Sequence, residues 1–103
     1  MIIKIEKSPI KNKRFRVYMD NGKHYDFGLS NGRTYIDHKD PVLKKNYLKR
    51  HLANPIEREL ISNLVPSPAL FSAFLLWGKY TDLQKNIDYL NNLWAKKHLL
   101  KNI

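Results

Sequence analysis

The apolar residues of this chain recur at every second position until about residue 38 and at every third or fourth after residue 41. That single change of period divides the chain into a strand-forming and a helix-forming part. In the first part Ile3 and Ile5 alternate with Lys4 and Glu6, and Phe15, Val17 and Met19 alternate with Arg16 and Tyr18. Between these runs, Pro9 to Arg14 reads as a basic connecting loop around Asn12. The parity of the next turn decides which faces meet, because slipping a pairing by one residue turns every side chain over. A two-residue Asn21-Gly22 turn would oppose Met19 to His24 and Val17 to Asp26, mixing polar and apolar groups. A three-residue Asp20-Asn21-Gly22 loop, with Gly22 left-handed in a bulge, instead gathers Phe15, Val17, Met19, Tyr25 and Phe27 on one face, and this is the expected form. At Asn31-Gly32 a two-residue turn keeps that inner face by setting Leu29 opposite Thr34 and Phe27 opposite Ile36. The outer face would then carry Arg16, Tyr18, His24, Asp26, Arg33, Tyr35 and Asp37.

After Asp40-Pro41, which suit an N-cap and first helical position, residues 42–52 are expected to be helical. Leu48 and Leu52 make one narrow ridge, Tyr47 and His51 another, and Lys45 and Lys49 stand one turn apart. Asn54-Pro55-Ile56-Glu57 starts a second helix with Ile56, Leu60 and Leu64 on one side. Pro66-Ser67-Pro68 ends it and begins a third, Ala69 to Trp77, apolar nearly all round and therefore central, with Gly78 available to close it. Thr81-Asp82-Leu83-Gln84 opens a last helix striped by Leu83, Ile87, Leu90 and Trp94, with Lys96, Lys97 and Lys101 near its C-terminus. The expected class is α+β: an antiparallel β-meander of three to four strands over residues 1–38, then about four packed helices over residues 41–100. With 103 residues, 43% of them hydrophobic, one domain spanning residues 1–103 is expected.

The absence of cysteine removes disulfides, thiolate metal sites and thiol nucleophiles together, and leaves cytosol, nucleus and virion interior open. Met1-Ile2-Ile3 gives way at once to Lys4 and Glu6, so no secretory signal is expected. The longest apolar run, Ala69 to Trp77, is far short of the ~20 residues that span a bilayer. No membrane partner is expected.

Charge is the informative quantity. Nineteen Lys and Arg stand against nine Asp and Glu, a net of +10. Residues 1–58 hold fourteen of the bases and six of the acids, so most of the excess lies there. A field of one sign attracts polyanions, and the phosphate backbone of DNA is the expected partner. The candidate phosphate contacts are Lys11, Lys13 and Arg14 in the loop, Arg16 and Arg33 on the sheet, Lys39, and Lys44, Lys45, Lys49 and Arg50 on the first long helix. Tyr18 and Tyr35 would offer rings to a base or sugar. A competing reading makes the outer sheet face a set of ordinary cross-strand pairs such as Arg16 with Asp26. No zinc-finger spacing, RNP aromatics, GXXG loop or clear helix-turn-helix is present, so binding should be largely independent of base sequence.

Asp26 followed by Asp37-His38-Lys39 weakly echoes the acid, then acid-x-Lys, pattern of metal-dependent nucleases. Asp37 and Asp40 also suit an ordinary turn and cap, and His24, His38 and His51 lack helical metal-ligand spacing. The expectation is a non-enzyme with no metal and no cofactor.

Five stretches carry a resemblance: Tyr25-Asp26-Phe27-Gly28, Thr34 to Asp40, Arg50-His51-Leu52-Ala53-Asn54, Leu64 to Pro68, and Leu76 to Asp82. Together they resemble a family of small basic proteins encoded by large nucleocytoplasmic DNA viruses, marseillevirus-like ones among them, from about Ile3 to Trp94. The resemblance implies a viral protein that meets DNA in the particle or in a factory in the host cytoplasm or nucleus. It carries over no catalytic residue. The alternative left open is a structural component of the virion that binds other virion proteins or itself; as a homodimer, two weak patches would gain avidity.

Overall fold

The computed structural model describes the backbone of residues 1–101 and the side chains of residues 1–99. Strands β1 (Ile2–Lys7), β2 (Lys13–Met19) and β3 (His24–Leu29) form an antiparallel sheet in that order. Helices α1 (Tyr35–His38), α2 (Pro41–Leu52), α3 (Pro55–Ser62), α4 (Pro68–Phe71) and α5 (Leu83–Lys101) follow, and α4 continues as a π-helical turn over Ser72–Leu76. The fold is α+β, a meander followed by helices.

The first hairpin turns on the three-residue loop. Met19 N–H donates to the Lys23 carbonyl at 2.8 Å, Gly22 N–H donates to the Met19 carbonyl at 3.1 Å, and Gly22 has φ 87°. An L-residue with a side chain strains at that φ, so glycine fits the bulge. The resulting register pairs Phe15 with Phe27 and Val17 with Tyr25. Val17, Met19 and Phe27 face inward and bury against Phe71, Leu75 and Leu76 and against Ile87 and Leu90 of α5. The inner sheet face is therefore the one covered by helices, and the outer face is not.

In β1 the register slips between Ile2 and Lys4, which pair with Met19 and Tyr18. The slip turns Ile2 inward beside Ile5, whereas Ile3 is exposed, a departure from the expected Ile3 and Ile5 pair. Asn91 of α5 fixes the arrangement: its side chain accepts from Ile2 N–H at 2.9 Å and donates to the Ile2 carbonyl at 3.0 Å.

The expected fourth strand is a helix. Gly32 N–H closes a turn on the Leu29 carbonyl, but Thr34 then caps α1 instead of pairing with Leu29. The Asp37 carboxylate accepts from both the backbone N–H of Thr34, at 2.8 Å, and its hydroxyl, at 3.0 Å. Thr34-Tyr35-Ile36-Asp37 thus acts as a capping sequence, and two local bonds outcompete extension of the sheet. Arg33, Tyr35 and Asp37 consequently leave the outer sheet face to which the alternation assigned them.

The caps of the longer helices fall where the sequence set them. Asp40 accepts from Val42 N–H at 2.9 Å, Asn54 from Ile56 N–H at 3.0 Å, Ser67 from Leu70 N–H at 3.2 Å, and Asp82 from Lys85 N–H at 2.9 Å. Within the central helix the last turn widens: Trp77 N–H bonds to the Ser72 carbonyl, five residues back. Gly78 serves a close approach here, since a Cβ on it would lie 1.9 Å from the Phe74 carbonyl oxygen. Asn86, fully buried, holds the following loop by donating to the Leu75 and Tyr80 carbonyls and accepting from Tyr80 N–H. Of the basic residues expected near the C-terminus of α5, Lys97 donates to the Asn63 carbonyl, and the side chain of Lys101 lies outside the described residues.

Candidate nucleic-acid interface

On the outer sheet face the alternation places Lys4 and Glu6 beside Tyr18 and Arg16, and Arg16 beside Asp26. Opposite charges at cross-strand positions lie within reach of each other, and here they join. Arg16 grips Asp26 through two bonds of 3.0 and 3.1 Å, Ser8 donates to the same carboxylate, and the Tyr18 hydroxyl donates to Glu6 at 2.6 Å. Lys4 lies 3.3 Å from Glu6 and over the Tyr18 ring. The Arg16 guanidinium holds the Asp26 carboxyl below the usual carboxylate range, and the Tyr18 hydroxyl does the same for Glu6. Two cations meet two anions on this face. Arg16 and Tyr18 thus form the cross-strand pairs of the competing reading, with the guanidinium on Asp26 and the hydroxyl on Glu6.

Arg14 is committed in the same way. Its two terminal nitrogens donate to the two oxygens of Asp37, both at 2.7 Å, and one also reaches Thr34. The guanidinium, with help from Thr34, holds the Asp37 carboxyl well below its ordinary value. Asp26 and Asp37, the acids of the nuclease echo, are thus each held by an arginine. Among the described residues no group of three or more His, Asp and Glu is placed to hold a metal ion.

The other cations differ. All six carboxylates of residues 1–58 have a specific partner: Glu6, Asp26 and Asp37 as described, Asp20 on the amino group of Met1, Asp40 on the cap of α2, and Glu57 on His51. Of the fourteen Lys and Arg there, only Lys4, Arg14 and Arg16 are ion-paired, leaving eleven without a carboxylate partner among the described residues. Those eleven include Lys11, Lys13, Arg33, Lys39, Lys44, Lys45, Lys49 and Arg50. Here the acid count is exhausted on structural duties before the base count is.

The folding of α2 across the end of the sheet brings part of this set together. A cleft of about 400 Å³ opens between the end of β3 and its following loop on one side and α2 on the other, with α4 and the π-turn as floor. Lys13, Arg33 and Arg50 line it, and no Asp or Glu does. A second recess of about 500 Å³ shares Arg33, Tyr47, Arg50 and Trp77 with the first, and also lacks a carboxylate. Lys45 and Lys49 are exposed one turn apart on the same helix, and Lys44 lies 4.7 Å from the centre of the Tyr35 ring. Lys11 is exposed in the β1–β2 loop and Lys39 at the end of α1, and neither lines the cleft.

Beneath the cations runs a column of rings. Tyr47 stacks on Trp77 with centroids 4.3 Å apart and planes 5° from parallel, His51 lies 4.1 Å from Tyr47, and His38 lies 5.3 Å from Trp77. His38 accepts the Asp40 N–H on Nδ1 at 3.0 Å. Burial pushes the Tyr47 phenol up to about 12, which keeps it neutral. The i, i+4 spacing of Tyr47 and His51 is visible in the sequence; their meeting with Trp77, thirty residues on, leaves no local signal.

Residues 3–51, which hold the sheet, α1 and α2 as far as His51, are similar to a family of unknown function (DUF5754). The matched segment contains all ten candidate cations, and the floor of the cleft lies outside it. No curated protein and no solved structure matches the chain.

Proposed function

We propose that the protein is a non-catalytic, largely sequence-independent DNA-binding protein that neutralises phosphates with the unpaired cations of α2 and the loops beside it. The observation that carries this reading is the excess of cations without carboxylate partners: Lys13, Arg33 and Arg50 meet at a cleft with no acid in its lining, and Lys45 and Lys49 extend the field along α2. The contact set is Lys11, Lys13, Arg33, Lys39, Lys44, Lys45, Lys49 and Arg50, with Tyr35 behind Lys44; Arg14, Arg16 and Tyr18 are left out because their polar groups are engaged within the fold. Direct reading of base edges in a duplex has no support from an exposed helix of known groove-binding type. The resemblance to small basic proteins of large nucleocytoplasmic DNA viruses supports viral genome as the DNA, met in the particle or in a host-cell factory.

Fluorescence anisotropy with random duplex DNA from low to moderate salt tests the reading. Several phosphate contacts make the logarithm of affinity fall steeply with the logarithm of salt, by ~0.9 per contact. A flat salt response removes it.

A second reading, a virion component that binds another protein or a second copy of itself, is favoured by apolar side chains exposed beside the cations: Val42 and Leu43 on α2 and Ile56 on α3. Light scattering before and after nuclease treatment separates the two, since association that survives nuclease is protein-borne.

A further inference from the structure

Phosphate neutralisation alone needs only exposed cations, and α2 supplies those without a cleft. The cleft adds what a duplex backbone would leave unused: an apolar wall of Leu29, Pro68 and Leu76 with the Trp77 ring beside it. Its volume of about 400 Å³ lies within the ~300–1,000 Å³ usual for small-molecule sites. Its charged lining is cationic only. The ring column braces one side, because Tyr47 of α2 packs against both His51 and Trp77.

From this we infer that the cleft holds one unpaired nucleotide, its base against the Leu29, Pro68 and Trp77 wall and its phosphate on Arg33 and Arg50, with Lys13 beside the adjoining phosphate. The inference rests on the nucleic-acid reading above and adds a preference for unpaired over paired strands. In a duplex the bases face each other and cannot reach an apolar recess without being extruded, at a cost of a few kcal/mol. In a single strand they are free to enter, and stacking on aromatic or apolar surface is tolerant of base identity. A sequence-independent binder with a base pocket is therefore self-consistent. An acidic peptide without apolar side chains would satisfy the same cations but leave the apolar wall unused.

The test compares four probes on the full chain: a single-stranded thymidine oligonucleotide, an abasic strand of the same length and charge, a duplex of the same length, and thymidine monophosphate. The base-bearing strand is expected to bind about tenfold tighter than the abasic one. It should also shift the Trp77 indole resonance in a ¹H–¹⁵N spectrum while leaving that of Trp94, whose indole N–H is tied to the Leu64 carbonyl, in place. A shift with thymidine monophosphate as well shows that the site takes a free nucleotide; a shift with the strand alone shows that it needs the neighbouring phosphates. Ala69→Phe fills the cleft without removing a cation. It should erase the difference between base-bearing and abasic strands and leave duplex binding and its salt slope unchanged. Equal affinity for the two strands with a silent Trp77 overturns the inference, while steep salt-dependent duplex binding in the same experiment would leave the broader reading standing. Failure of the parent protein to bind any of the four probes overturns both.

Discussion

The outer sheet face and the α2 cleft are built from the same kinds of residue, yet they are electrostatic opposites. On the sheet, Lys4, Arg16, Tyr18 and His24 are interleaved with Glu6 and Asp26, and the Lys and Arg there are ion-paired at 3.0 to 3.3 Å. At the cleft, Lys13, Arg33 and Arg50 stand with Tyr47 and His51, and the lining contains no carboxylate. The difference lies in where the acids fall. A strand places alternate residues on one face, so an acid two positions along or directly across is brought to a base automatically. Residues 41–52 contain no acid at all, so α2 has nothing of its own to balance its lysines. The density of basic and aromatic residues in a segment therefore does not report its surface potential; the positions of its few acids do.

The most forceful way to break this contrast is to remove the α2 cations together. Changing Lys44, Lys45, Lys49 and Arg50 to Ala should weaken duplex binding by on the order of 100-fold at ~0.1 M salt, alike for all sequences, and lower the salt slope by about 0.9 for each phosphate no longer neutralised. Anisotropy against several unrelated duplexes measures both quantities. Retention of the parent slope would mean that α2 does not face the polyanion.

The converse change belongs on the sheet. Arg16→Ala should leave the salt slope as it is and instead reduce unfolding stability, because it takes the two guanidinium bonds from the Asp26 carboxylate and leaves it only the Ser8 hydroxyl. Urea denaturation gives the stability, and a cycle with Asp26→Ala gives the coupling. An Arg16→Ala protein that folds normally but no longer binds DNA would place the sheet in the interface after all.

Much of this contrast was legible in the residues, and the part that was not has a definite cause. The parity argument at Asp20-Asn21-Gly22 sets Phe15, Val17, Tyr25 and Phe27 on one face and so puts Arg16 opposite Asp26 on the other; the pairing followed from counting. The same counting failed at Thr34 to Asp37, where a capping sequence overrode the alternation and lifted Arg33 and Tyr35 off the sheet. The signal was present as Thr-x-x-Asp, but a short apolar-polar run fits both periods. Arg14 could not be assigned, because its partner Asp37 is brought to it only by that helix. The cleft itself has no sequence trace, since it joins Lys13 of β2, the β3–α1 loop, α2 and the π-turn.

Acid should blur the contrast without abolishing it. Glu6, Asp26 and Asp37 all have carboxyls held below their ordinary values by hydrogen-bonded partners. A carboxylate whose folded value is depressed contributes stability that is fully present above its unfolded value, ~4, and is lost as pH falls through the folded value. The contribution of these three carboxylates to the thermal midpoint should thus be constant down to about pH 5 and be lost progressively below about pH 4. Asp37→Asn should make that decline shallower while lowering the midpoint at neutral pH. A midpoint unaffected by acid would show that these pairs add nothing to the fold.

The smallest effect tests how far the unpaired surface extends. Lys39 adopts φ 58° at the end of α1, where its N–H bonds to the Tyr35 carbonyl, a left-handed position that glycine takes more readily than lysine. Lys39→Gly relieves ~1 kcal/mol of backbone strain, set against an entropic cost of ~0.5–1 kcal/mol for ordering a glycine. The two terms nearly cancel, so the fold should keep its stability and any change in DNA binding is attributable to the missing charge. If the phosphate track continues from α2 past the end of α1, the salt slope falls by about 0.9; if the track stops at α2, it does not move. The backbone position of Lys39 thus lets its charge be deleted at almost no cost to the fold, whereas Arg14 could not lose its guanidinium without releasing both Asp37 and Thr34.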